Sequence, residues 1–206
     1  TLGGRKVWFD KDIQRIDLDG HGDFIGEFEP EDLLLVINSD GEFYTTEVDT
    51  GHHFDENVIR VEKYVPDKVW SAALFDASQK GYLYVKRFCM EQSSRKNSIL
   101  GDEKGSVLLL LTDTVYPRLL VTFSGADEQR DAMEVDVEQF IGVKGFKARG
   151  RRVTTWSVGK VEELEPLRQP EPAAADAEPQ TDEDNEESEI QNENVDENGQ
   201  MSLFQE

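Results

Sequence analysis

Leu33-Leu34-Leu35-Val36-Ile37-Asn38-Ser39-Asp40-Gly41-Glu42-Phe43-Tyr44-Thr45-Thr46-Glu47-Val48 is the stretch that decides the fold. Two short runs of apolar, β-branched and aromatic residues flank Asp40-Gly41, a turn pair whose central positions favour positive φ, and this predicts a β-hairpin. The same pattern fills the chain on both sides. Val7–Asp10, Gln14–Leu18 and Phe24–Phe28 precede it. Val58–Val65, Val69–Phe75, Tyr82–Met90, Val107–Thr112, Leu119–Phe123, Met133–Phe140, Val153–Val158 and Val161–Leu164 follow. Asp19-Gly20, Gly81, Gly101, Gly105, Ser124-Gly125 and Gly150 separate them as turn signals. No run carries a helical stripe over three turns, so the chain is all-β. About a dozen short strands at this spacing fit a barrel, a sandwich or a propeller. Lys6-Val7-Trp8 returns as Lys68-Val69-Trp70, but no strict repeat period emerges.

Charge divides the chain into two regimes. Residues 1–168 hold all 22 Lys and Arg against 31 of the 44 acids, and residues 169–206 hold the other 13 acids and no base. The first regime is long enough for one domain with a substantial core. The second has almost nothing aliphatic to bury, so it is expected to be a disordered acidic tail. No apolar run approaches the roughly 20 residues of a membrane span, and no leader pattern is present; a cytoplasmic, nucleoid-associated protein is expected. The chain begins at Thr1 in mid-pattern rather than at Met, which predicts a piece of a longer protein. The single cysteine, Cys89, lies in an apolar run and reads as a buried small hydrophobe.

Within the acidic body, Ile141–Lys160 contains Lys144, Lys147, Arg149, Arg151, Arg152 and Lys160 and no acid. Such a stretch neutralises phosphates and releases counterions, which gives sequence-independent affinity for nucleic acid. Glycines at 142, 145 and 150 let the backbone turn there and bring amide groups near a phosphate. Lys86-Arg87 extends the candidate DNA-binding set. Arg95-Lys96, and Arg60 with Lys63, are secondary clusters that could continue a curved basic track. No recognition helix is predicted, so the track would bend DNA rather than read it.

Other chemistries find no support. His21, His52 and His53 offer no zinc spacing, and no metal site is predicted. Asp17-x-Asp19-Gly20-His21-Gly22-Asp23 lacks the length and closing Glu of a calcium loop and reads as a hairpin turn. No phosphate-cradling loop or Ser/His/Asp set appears, so no residue is assigned a catalytic role. Trp8, Trp70 and Trp156 read as core fillers between strands.

Several segments together resemble one known family. Arg5-Lys6-Val7-Trp8-Phe9-Asp10, Gly26-Glu27-Phe28, Glu31–Val36 with Asp40-Gly41, His53-Phe54-Asp55-Glu56, Val85-Lys86-Arg87-Phe88 and Phe140–Ala148 resemble the C-terminal domain of bacterial type IIA topoisomerase A subunits. The form they most resemble is the topoisomerase IV A subunit of the Bacteroidetes type, over residues 1–168. The resemblance implies a β-pinwheel, a propeller-like ring of four-stranded blades (here three or four) that binds and bends duplex DNA on its rim. It also implies that this domain is not an enzyme. The parent would be an ATP-dependent topoisomerase that needs ATP and Mg2+ through other domains, with a B subunit and a second A subunit as partners. Gyrases carry a Gln-Arg-Arg-Gly-Gly-Lys-Gly box for strong wrapping. Gly142–Gly150 keeps Lys144-Gly145 but lacks the paired arginines and glycines, which favours presentation of DNA for decatenation or relaxation over supercoiling.

At the far end of the tail, Gln200-Met201-Ser202-Leu203-Phe204 sets a polar and two apolar anchors in a segment with nothing to bury them. It resembles the peptide by which bacterial proteins dock on the replication sliding clamp, a possible partner. The tail as a polyanion would also compete with DNA for the basic stretch. The alternative reading of the whole chain is a propeller-like protein-interaction module with an acidic tail and no DNA function.

Overall fold

The computed structural model describes residues 3–172. The fold belongs to the first of the chain's two units, Thr1–Pro170. The second unit, Glu171–Glu206, takes in most of the expected tail; residues 173–206, with the Gln200–Phe204 motif, lie outside the described residues.

The opening hairpin is present as β4 (Leu34–Asn38) and β5 (Glu42–Thr46), with Ile37 opposite Phe43. Its turn differs from the expected one. Gly41 alone takes positive φ, at 84°, and its N–H donates to Asn38 O at 3.0 Å, so the connection is the wider loop that ends in a left-handed glycine. The Asp40 carboxylate accepts from Glu42 N–H at 3.1 Å, as Asp side chains do two residues on in turns.

Four small sheets repeat one connection scheme. A first strand forms a hairpin with a second; the chain then makes an excursion and returns as a third strand on the other side of the first. The first sheet is β1 (Arg5–Asp10), β2 (Arg15–Asp17) and β3 (Asp23–Phe28), in the order β2-β1-β3. The second adds β6 (Val58–Lys63) beside β4. The third is β7 (Val69–Asp76), β8 (Tyr82–Cys89) and, after β9 (Asn97–Ser98), β10 (Val107–Thr112). The fourth is β11 (Arg118–Phe123), β12 (Met133–Asp136) and, after β13 (Lys144–Gly145) and β14 (Arg151–Thr154), β15 (Val158–Leu164).

Each excursion after the first reaches back to the preceding sheet. In the second sheet it runs over residues 47–57, where Phe54 N–H donates to Gln14 O and Arg15 donates to Gly51 O beside β2. In the third, β9 pairs with β5 of the second sheet. In the fourth, β13 and β14 both pair with β8 of the third. These exchanges bring the two inner sheets to four or more strands, while the outer two keep three. The excursions lengthen from 18–22 through 47–57 and 90–106 to 137–157, which conceals a repeat period in the sequence.

Three apolar clusters lie between consecutive sheets. Val7, Phe9, Ile16 and Phe28 meet Leu34, Val36, Tyr44 and Phe54; Leu35, Ile37 and Phe43 meet Trp70, Ala72 and Phe88; Ala73, Leu83 and Val85 meet Leu119, Val121 and Phe123. An inner sheet is therefore buried on both faces. All five residues of β4 are buried, as its unbroken apolar run requires, whereas β11 alternates buried with half-buried residues. Among the described residues no cluster joins the first sheet to the fourth.

Two expected strands change form. Met133–Phe140 is strand only to Asp136; Asp136 then caps one helical turn, α1 (Val137–Phe140), by accepting from Gln139 N–H. Val153–Val158 begins earlier, as β14 at Arg151, and breaks at Thr155. Trp70 fills the core as expected, but Trp8 is half-buried and Trp156 is 39% exposed. Cys89 is half-buried at the end of β8 rather than enclosed.

Candidate nucleic-acid interface

The acid-free stretch folds along one line, the outer edge of β8. Residues 141–154 leave the fourth sheet and lie on the third, with β13 parallel to Phe88-Cys89 and β14 antiparallel to Leu83–Val85. One large apolar side chain anchors the segment. Phe146 is 3% exposed and meets Phe43 edge-on with ring centroids 5.1 Å apart. Beyond it, Gly150 adopts φ 88°, and a Cβ there would collide with Val85 O, so only glycine lets the segment lie this close to β8. Gly142 and Gly145, expected to turn in the same way, do not have positive φ. The turning falls on Gly150 alone.

With Phe146 turned inward, the charged side chains beside it turn outward. Lys144, Lys147, Arg149, Arg151 and Arg152 are all exposed. Arg151 donates to Phe140 O at 2.8 Å and stacks on the Phe140 ring; Arg152 lies over Tyr82 and Lys147 beside the Phe146 ring. Among the described residues none of these five has a carboxylate within 4.0 Å. The secondary clusters differ. Arg60 pairs with Glu62 and Asp113, Lys63 with Asp32, and Lys96 with Asp55 at 2.7 Å. The charge of Arg60, Lys63 and Lys96 is thus matched within the protein, whereas Arg95 is exposed and has no carboxylate within 4.0 Å among the described residues; the densest group of unpaired bases lies at the edge of the third sheet.

Three of the expected DNA-binding residues stand apart from that group. Lys86 is 4% exposed and inaccessible to a phosphate. β8 points it inward, where its ammonium donates to Ile99 O at 2.6 Å and to Phe146 O. It holds two excursions, the one carrying β9 and the one carrying the cationic segment, to a single strand. Burial pushes its pKa down to about 8, against a weaker opposing charge from Asp76. Arg87 is half-buried and donates to Ile141 O at 3.2 Å, fastening the start of the same segment. Lys160 sits on β15 of the fourth sheet and pairs with Glu162 at 2.7 Å. Alternation along a strand buried on both faces explains Lys86 and Arg87: the long stems reach backbone carbonyls that no amide satisfies.

Beside the cationic segment lies a cleft of about 300 Å3, lined by Lys86, Lys147 and Arg149 and by Asp76, Asp102 and Glu103. Its mixed charge distinguishes it from the outer edge. Elsewhere, the Asp17 carboxylate accepts from Asp19 and His21 N–H at 2.9 and 2.7 Å, so the Asp17–Asp23 segment is the turn between β2 and β3. Among the described residues no group of three or more His, Cys, Asp or Glu side chains is placed to hold a metal, and no helix is long and apolar enough to cross a membrane.

No curated protein matches the chain. A family model described as the topoisomerase C-terminal domain of Bacteroidota matches residues 15–165, which span all but the first strand of the four sheets and include the whole cationic segment. With most of its length matched, the chain belongs to the topoisomerase C-terminal domain family of the Bacteroidota.

Proposed function

We propose that this domain binds and bends duplex DNA as the non-catalytic C-terminal domain of a topoisomerase IV A subunit. The observation that carries the reading is the edge of β8, where five exposed bases project from one exchanged segment with no acidic partner among the described residues. Bases fixed on strands, rather than on a recognition helix, suit contact with the phosphate backbone. The parent would be an ATP-dependent type IIA enzyme whose B subunit and second A subunit supply the strand-passage machinery, with ATP and Mg2+ bound there. The domain would hold a duplex for that passage in decatenation or relaxation. Residues 169–206, with 13 acids and no base, would compete with DNA for the cationic edge, and Gln200–Phe204 would dock on a sliding clamp.

The test is DNA affinity against salt for residues 1–168 and 1–206, using a duplex long enough to bend. Tighter binding by the shorter chain, with a steep log–log slope that neutralisation of Lys144, Lys147, Arg149, Arg151 and Arg152 flattens, is the expected result. Absence of binding by both chains at low salt would overturn the DNA reading and favour a protein-interaction module.

A further inference from the structure

Past the cationic edge the chain crosses to the fourth sheet through residues 155–157, where an exposed tryptophan is built into a rigid group. Trp156 meets the Phe123 ring edge-on at 5.5 Å, and the Arg130 guanidinium lies flat on its indole, 3.7 Å from the ring centroid. Asp127 fixes both loops: one carboxylate oxygen accepts from Arg130 Nε at 2.8 Å and the other from Ser157 N–H at 2.8 Å. The short 3-10 turn Gly125–Asp127 presents that carboxylate. Arg130 is thus held through its Nε and its flat face, and among the described residues neither of its two Nη atoms has a partner.

We propose that Arg130, preorganised on Trp156, is a further phosphate-contacting residue that carries bound duplex DNA from the edge of the third sheet onto the fourth. A guanidinium already stacked and anchored loses little side-chain entropy when its free Nη edge meets a phosphate, and that planar fork matches phosphate oxygens where a lysine does not. Position supports the same assignment. Trp156 is four residues beyond Arg152, within about 14 Å even for a fully extended chain, a distance over which one DNA strand presents about four phosphates. In the other direction, towards the second sheet, the excursion carries Asp102 and Glu103 beside Arg95 and Lys104, and Lys96 is already paired with Asp55. On the fourth-sheet side, Arg130 offers a guanidinium edge that no carboxylate occupies among the described residues, although Glu128 and Asp131 stand exposed beside it in sequence.

This inference rests on the DNA reading above, and the experiment separates the two. In the 1–206 chain, affinity for a duplex is measured against salt for wild type, Arg130→Gln, Arg130→Lys, Trp156→Phe and a Lys144→Ala/Arg149→Ala control, with tryptophan emission followed in the same titrations. Loss of one phosphate contact is expected to lower the salt slope of Arg130→Gln by about one and its affinity roughly 5–10-fold near 0.1 M salt. Arg130→Lys should not restore either, and DNA should quench emission in wild type but far less in Trp156→Phe. A merely structural stack would leave the salt slope unchanged. Full slope and affinity in Arg130→Gln, with the Lys144/Arg149 control weakened, overturns this inference alone. Loss of binding in none of the variants, or no binding by wild type, overturns the DNA reading with it. Equal quenching of wild type by inorganic phosphate would make the group a general anion site and also overturn the proposal.

Discussion

Replacing Lys86 by Met removes the ammonium that joins two excursions to β8 while keeping most of the side chain's volume. Two opposing quantities follow from the structure. Burial lowers the lysine from its ordinary 10.5 to about 8, so at neutral pH the folded protein carries a charged group it would hold more readily in the unfolded chain. At about 1.4 kcal/mol per pKa unit this costs about 3 kcal/mol, a cost that Met does not incur. Met also leaves Ile99 O and Phe146 O without the donor they have in wild type, at about 1–3 kcal/mol for each buried acceptor. Near neutral pH the two proteins should therefore differ by no more than a few kcal/mol, with Met at parity or below. The discriminating quantity is the pH dependence. Between about pH 8 and pH 10.5 the unfolded chain still binds the proton that folded wild type has released, so wild-type stability rises with pH relative to Met, by at most about 3 kcal/mol. Other titrating groups cancel in the difference. Urea unfolding of both proteins, read from tryptophan emission at several values from about pH 7 to pH 10, measures it, provided both unfold in two states. Parallel stability profiles, or a wild-type advantage that shrinks as pH rises, would refute the argument that burial of the Lys86 ammonium outweighs what its hydrogen bonds contribute and lowers its pKa.

Phe146→Ala should lower stability by about 3–5 kcal/mol and weaken DNA binding more than any single neutralised base, because it frees the segment that carries them; unfolding and binding titrations read the two effects. Gly150→Ala should cost about 1–2 kcal/mol from the left-handed backbone alone, with further loss as β14 is pushed off Val85, visible as faster amide exchange in β8 and β14. Burial opposes ionisation of Asp113, but hydrogen bonds and charge from Lys68 and Arg60 outweigh it and hold the carboxyl below its ordinary 3.8. The stability this adds is present above pH 3.8 and drains as pH falls through the lower folded value, so Asp113→Asn should remove that part of the acid-unfolding curve.

The strands themselves were legible because their signals are local. β-branched and aromatic runs, bounded by Gly or Asp-Gly, located thirteen segments, and most appear as strands within a residue or two. The two that escaped, β9 and β13, are two residues long and consist of Asn97-Ser98 and Lys144-Gly145, which have no strand propensity. They exist because β5 and β8 offer them an edge, and that edge is a tertiary fact. The repeat escaped for a related reason. Lys6-Val7-Trp8 and Lys68-Val69-Trp70 do open two first strands, but excursions of unequal length separate the equivalent positions. The same pair shows what position in the stack adds. Trp70 faces the second sheet and is 1% exposed, while Trp8 has no preceding sheet among the described residues and is half-buried beside Phe24.

For the candidate interface, composition alone found the acid-free stretch from Ile141 to Lys160, since local charge does not depend on folding. Which of its bases face water did not follow from composition. Lys86 and Arg87 sit next to each other in sequence as a basic pair, yet β8 turns one inward to two carbonyls and ties the other to Ile141 O. Arg130 carried no signal at all, because its neighbours Asp127 and Asp131 make its surroundings acidic in sequence. The all-β class, the strand positions and the cationic segment were thus determined by the sequence itself, through short-range sterics, alternation and charge. The exchange of strands, the burial of Lys86 and the meeting of Arg130 with Trp156 were decided only by the tertiary structure, because each depends on which segment occupies an edge formed by residues dozens of positions away.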